Sequence, residues 1–240
     1  MGKNGTVELD KEAALEFSGV SFRYPGSRYG VDDIDLIIKK NSRIGIIGAS
    51  GSGKTTLGKL IVGMYRASSG EIKGSPRVSL IFQSPLSSFD PKWQIFDIIA
   101  EPLIIQKVTK ETITEKVNNI IKKLNLPSEL LSRYPHQLSG GQNQRVAIAR
   151  ALITEPDIIV ADEPFSALDV VLQAEMIRVF RGLEGFATVF ISHDLAVVSQ
   201  ICDTIIIVDG GRIVEAGETR QILTSPISNM GKTLVKAFNG

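Results

Sequence analysis

Two short segments carry residue types suited to handling phosphate. GASGSGKT, Gly48 to Thr55, follows the apolar run Arg43–Ile47 and precedes apolar residues at helical spacing. Gly48, Gly51 and Gly53, with Ala49, Ser50 and Ser52 between them, let a backbone curl so that its N–H groups point inward, and a helix start adds positive potential. In such a loop Lys54 would bridge the β- and γ-phosphates of a nucleoside triphosphate. Thr55 would place its hydroxyl on Mg²⁺, and Thr56 would reach the α-phosphate. The second segment, EPDIIVADEP at 155–164, ends an apolar run in Asp162 and Glu163. Asp162 would hold Mg²⁺ through water, and Glu163 would polarise an attacking water.

These residues need strands to deliver them and helices to back them. Residues 15–22 and 34–38 read as strands across the turn-rich YPGSRYG. Short apolar runs at Ile44–Ile47, Val78–Phe82, Ile158–Ala161, Thr188–Ile191 and Ile205–Val208 suit strands buried on both faces. Leu57, Leu60, Ile61 and Met64 follow the glycine-rich turn at helical spacing, and Ile113, Val117, Ile120, Ile121 and Leu124 repeat that pattern. Residues 170–183 form another striped helix, and Asp209-Gly210-Gly211 reads as a hairpin turn. Residues 84–150 are rich in helical pattern and punctuated by prolines, as a helical insertion in an α/β core would be.

Composition narrows the alternatives. The 240 residues carry 27 Lys+Arg against 26 Asp+Glu, a formal net charge of +1, which lacks the electrostatic footprint of a general nucleic-acid binder. The single cysteine, Cys202, has no internal disulfide partner and no companions for a thiolate metal site, which suits a reducing compartment. No apolar run approaches the ~18 residues of a membrane span. The opening residues lack a secretory apolar segment; Gly2 and Thr6 fit a short acylation pattern that is too common to carry an assignment.

A third segment sets the chain apart. LSGGQ, Leu138 to Gln142, precedes the helical stretch NQRVAIARALI, so that Ser139 and two glycines form a second anion-ready helix start. Two such sites in one chain suggest two subunits, each closing the other's nucleotide. LSGGQ together with GASGSGKT, IIVADEP, SALD (Ser166 to Asp169) and ISHD (Ile191 to Asp194) resembles the ATP-binding subunit of ABC transporters over nearly the whole chain.

The resemblance implies a phosphate-loop, RecA-like nucleotidase core, at 1–83 and 151–240, with an N-terminal antiparallel β-subdomain and an inserted helical subdomain at 84–150. Tyr24 resembles the aromatic residue that stacks on adenine, and Gln83 the glutamine that touches Mg²⁺ and the attacking water. Ser139, Gly140 and Gly141, with Gln142 beside them, would meet the γ-phosphate held by the opposite subunit. Asp169 would couple the two sites, and His193 would contact the γ-phosphate. His136, just before LSGGQ, reads as structural. ATP and Mg²⁺ are the implied ligands.

FQSPLSSFDPKWQIFDIIAEPL (82–103), FSALDVVLQAEMI and FISHDLAVV are similar to importers of the oligopeptide, dipeptide and nickel type. That branch implies two integral membrane permease subunits and a second homologous ATPase, as a heterodimer or a homodimer. It also implies an extracytoplasmic substrate-binding protein, no nucleic acid, and a peripheral place on the cytoplasmic face of the cell membrane. Phe89, Trp93 and Phe96 would line a groove for a membrane subunit. Three departures stand out: the stretch from Lys54 to Gln83 is short for the branch, Asn143 sits where arginine is common, and Cys202 alone cannot hold an iron–sulfur cluster. The competing class is a soluble ABC-type ATPase of DNA repair or translation, which usually carries long coiled coils or two ATPase units in one chain.

Overall fold

The computed structural model describes residues 12–27 and 29–239; the Gly2/Thr6 pattern lies outside them. In chain order the elements are β1 (Ala13–Arg23), β2 (Gly30–Lys39), β3 (Arg43–Ile47), α1 (Lys54–Ile61), β4 (Ser69–Lys73) and β5 (Val78–Ile81). Three helices follow, α2 (Ile95–Ile105), α3 (Lys110–Lys123) and α4 (Gly140–Leu152). The chain continues through β6 (Ile158–Asp162), α5 (Val170–Arg181), β7 (Ala187–Ile191), α6 (Leu195–Ile201), β8 (Thr204–Asp209), β9 (Arg212–Glu218), α7 (Thr219–Thr224) and α8 (Asn229–Asn239).

β2, β1 and β4 form an antiparallel sheet, and the other six strands a second sheet in the order β5-β6-β7-β3-β8-β9. All neighbours in the second sheet are parallel except β8 and β9, joined by a two-residue turn at Gly210 (φ 54°) and Gly211 (φ 81°). Its strands alternate between two cores, as a period of two requires. On β6, Ile158 and Val160 pack with α1 and the antiparallel sheet, while Ile159 and Ala161 face α4, α5 and α6; β8 divides Ile206 and Val208 from Ile205 and Ile207 in the same way. This covering of both faces explains the continuous apolar runs, each fully buried Ile or Val contributing ~1.5–3 kcal/mol. β3 lies between β7 and β8, so the loop leaving its C-terminal end opens at a reversal of strand order, where α/β sheets bind ligands.

Two elements differ from the sequence expectation. Met64 was expected to continue the first helix. α1 instead ends at Ile61, Gly63 adopts φ 77°, and Met64 is exposed. β4, with sequence SGEIK, carries one apolar residue and no alternation, yet pairs with β1. Gly70 makes that pairing possible, since a Cβ there would stand 2.3 Å from the Gly19 carbonyl oxygen.

Candidate functional site

The loop Gly48–Gly53 is closed by backbone approach. A Cβ on Gly48 would lie 2.1 Å from the Val208 carbonyl oxygen of β8, so only glycine fits. Gly51 (φ 77°) and Gly53 (φ 111°) take left-handed conformations, and Gly53 caps α1 without a side-chain hydrogen bond. The first N–H groups of α1 are thereby left to an anion. Lys54 is 7% exposed, and its Nζ donates to the carbonyls of Gly48 and Ala49, each at 2.8 Å. Burial pulls its pKa down, while the charges of Glu163 and Asp162 push it back up.

Thr55 donates its hydroxyl to the Asp162 carboxylate at 3.4 Å. Burial raises the pKa of Asp162, and the nearby Glu163 charge adds to this against the opposing hydrogen bond from Thr55. A hydroxyl and a carboxylate converging at a phosphate loop fit magnesium, which takes one or two protein oxygens and completes its shell with phosphate and water.

Glu163 follows directly, in a left-handed conformation (φ 49°) that is strained for a non-glycine residue. Its N–H is held by the Ile191 carbonyl at 2.9 Å. One carboxylate oxygen lies 2.8 Å from His193 Nδ1, and the other accepts from the Ser192 hydroxyl at 3.4 Å. Gln83 Nε2 donates to Ser166 Oγ at 3.3 Å, and Ser166 donates to the Glu163 carbonyl at 3.0 Å. Gln83 therefore reaches Glu163 through one serine. Ser166 and Ser192 sit inside quoted motifs without an assigned role; their position one bond from Glu163 depends on how the loops fold back. Asp194 caps α6, accepting from Ala196 and Val197.

Tyr24 does not face the phosphate-loop cleft alone. Its hydroxyl lies 3.3 Å from that of the buried Thr56, and its ring meets Tyr65 and Phe22 edge-on at 5.5 and 5.2 Å. Tyr29, 61% exposed, lines a cavity of about 190 Å³ with Gly30, Gly51, Gly53, Lys54, Thr55 and Thr56.

Ser139 caps α4. It accepts from Gln142 N, and Gln142 Oε1 in return accepts from Ser139 N at 2.9 Å, a reciprocal capping box. Gly140 is exposed and Gly141 is buried. Among the described residues no hydrogen bond joins Ser139–Gln142 to the phosphate loop. Asp169 caps α5, accepting from Val171 at 3.0 Å and Leu172 at 2.9 Å. Asn143, 4% exposed, donates to the carbonyls of Pro135 and Leu138 at 3.1 and 3.3 Å. It ties the turn containing His136 to the start of α4, a short-range task for which an amide suffices. Of the three aromatics expected to line a groove, Phe89 is 6% exposed and belongs to the core, Phe96 packs against that core, and Trp93 remains open at 39%.

The family model described as ABC transporter matches residues 31–166. The chain is 39% identical to the oligopeptide transport ATP-binding protein OppF of Lactococcus lactis, over 92% of this chain and 76% of that protein. It is 37% identical to the dipeptide transport ATP-binding protein DppF of Haemophilus influenzae, over 90% and 72%. Among solved structures, the dimeric ATP-binding cassette MJ0796, in a post-hydrolysis state bound to ADP and Pi, superposes with a TM-score of 0.75 at 26% identity, over 86% of this chain and 99% of that one. CbiO1 of Clostridium perfringens, part of the cbiONQ transporter complex, shares the fold with a TM-score of 0.83 at 23% identity, over 95% of each chain. No helix among the described residues is long and apolar enough to cross a membrane. With the phosphate loop and the Asp162-Glu163 strand end converging on one sheet edge, these likenesses establish that the chain belongs to the ABC transporter family, as an ATP-binding subunit whose ATP hydrolysis is coupled to transport.

Proposed function

We propose that this subunit powers the import of peptides, with nickel or metal chelates as the alternative cargo, through two membrane permease subunits fed by an extracytoplasmic binding protein. The names of its relatives support peptides first. It would sit on the cytoplasmic face of the membrane, paired with a second, similar ATPase. The parts 1–83 and 151–240 form the ATP core in this reading, and 84–150 the helical piece that meets the membrane subunits. A cavity of about 240 Å³ bounded by Phe82, Ser88, Phe89, Pro102 and Arg150 supports that docking side.

The observation that carries the reading is a second anion-ready helix start, capped by Ser139, in addition to the one at the phosphate loop. Lys54 and α1 hold the triphosphate of one nucleotide, while Ser139 and Gly140 are exposed and, with Gly141 behind them, meet a nucleotide from another chain. Thr55 and Asp162 would hold Mg²⁺, with Gln83 as a further ligand, and the ion would supply charge neutralisation on the phosphates. Glu163, steadied by His193 and Ser192, accepts a proton from the attacking water as the bond to the γ-phosphorus forms and the bond to the leaving oxygen breaks. Loss of the γ-phosphate removes the contact shared by two chains and lets them part.

Nucleotide binding and turnover separate the roles. Glu163→Gln should retain ATP affinity and lower turnover by about 100-fold or more. Lys54→Ala should weaken MgATP binding about tenfold or more. Full turnover in the first variant removes Glu163 as base; unchanged affinity in the second moves the nucleotide away from the phosphate loop.

A further inference from the structure

The start of α4 packs against Leu168 and Leu172, on either side of the Asp169 cap of α5. A Cβ on Gly140 would stand 3.9 Å from Leu168 Cδ2, and one on Gly141 would stand 3.0 Å from Leu172 Cδ2. One turn further along each helix, the Arg145 guanidinium pairs with the Glu175 carboxylate. The contacts of Gly141 with Leu172 and of Arg145 with Glu175 advance together, so α4 and α5 run in the same sense from their caps, Ser139 and Asp169. Arg145 is mostly buried, and its other terminal nitrogen donates to the carbonyls of Leu124 and Asn125 at 3.4 and 3.2 Å. The end of α3 is thus tied to the same guanidinium. Behind Asp169 the chain returns to Glu163 through tight turns: Leu168 N donates to Phe165 O at 3.1 Å, and Ser166 donates twice to Glu163 O.

We propose that Arg145 and Glu175 are positioning residues that make α4 and α5 one rigid lever, so that an anion met at Ser139–Gly141 is felt at the Glu163 backbone. Gly141 allows the close approach that keeps the two helix starts level, and the ion pair fixes their relative rotation one turn deeper. A partner's nucleotide pressing on α4 then shifts Asp169 and the 163–169 loop with it. The guanidinium of Arg145 is spent on Glu175 and on the Leu124 and Asn125 carbonyls, so the pair would act on the nucleotide only through the helices it joins. This proposal rests on the reading of Glu163 as base and of Ser139–Gly141 as the trans site.

The test uses Glu175→Gln, Arg145→Met and the double variant, each in the complex purified from native membranes and as the isolated chain. The result expected is a fall in kcat of about fivefold or more for each single variant, with ATP affinity within twofold of wild type. The double variant should be no worse than the poorer single, because the pair acts as a unit. Amide exchange of residues 163–169 in the isolated chain should quicken with Glu175→Gln while the melting temperature stays near wild type. Glu175→Gln is the cleaner probe, since Arg145 also holds α3. Unchanged kcat in Glu175→Gln, or losses that multiply in the double variant, would overturn the lever. A wild-type complex that binds no ATP, or a fully active Glu163→Gln, would instead overturn the function on which it rests.

Discussion

At the scale of single residues, the site is built from buried charge and backbone strain. Lys54 is buried against its own loop carbonyls, Asp162 is partly buried, and Glu163 holds a left-handed backbone. Strain and burial of this kind persist where the surrounding fold over-determines them. His193 aims the Glu163 carboxylate from a largely exposed position. His193→Ala should therefore lower turnover by tenfold or more and leave ATP affinity and melting temperature nearly unchanged; a variant with wild-type kcat would release His193 from that role. Away from the site, Glu215 shows a carboxylate organised for structure. It accepts from Ile227 N, Ser228 N and Ser228 Oγ and so anchors the start of α8. Partial burial works to raise its pKa, but the bonds from Ser228 and Ile227 outweigh it and hold it below the ordinary value. The folded state binds the Glu215 proton less tightly than the unfolded one. Its contribution is thus complete above the unfolded carboxylate pKa and is lost as pH falls through the folded value. Solvent screening keeps it modest. Glu215→Ala should speed amide exchange in 229–239 severalfold at neutral pH, a difference that vanishes in acid.

At the scale of elements, the sequence was most legible where periodicity and motif coincide. The apolar runs of β3, β6, β7 and β8 announce strands because both faces are covered, and the glycine pair at 210–211 announces the β8–β9 hairpin. β4 was hidden, since SGEIK has neither alternation nor apolar bulk and owes its pairing to Gly70 lying against Gly19. Met64 matched the helical period but fell beyond Gly63, whose left-handed turn stops α1. Motif residues such as Lys54, Thr55, Asp162, Glu163 and His193 could be named from the sequence, and they do lie together. The links through Ser166 and Ser192 could not, because they depend on how two loops fold over one strand end. Nor could the place of Tyr29 in the cavity beside the phosphate loop, or the inward packing of Phe89. Close packing has its own signature at Gly45 of β3, where a Cβ would stand 2.1 Å from Val198 Cγ1 on α6. Gly45→Ala should cost about 1–3 kcal/mol in denaturant unfolding; wild-type stability would mean that α6 can yield.

At the scale of the whole molecule, the arrangement is half of a machine. One sheet edge carries the phosphate loop and the Asp162-Glu163 strand end, while the start of α4 exposes Ser139 and Gly140. The cavity behind Phe82 and the open Trp93 offer a further side for a membrane subunit. In the proposed reading the partners, rather than this chain, would distinguish peptide from metal chelate. The most direct measurement is therefore co-purification from native membranes. A tagged Glu163→Gln chain is captured in the presence of MgATP, and its companions are identified by mass spectrometry. Recovery of two integral membrane proteins and a second, similar ATPase is the result expected. Recovery of ribosomal or DNA-bound proteins, with no membrane protein among them, would contradict the transporter account.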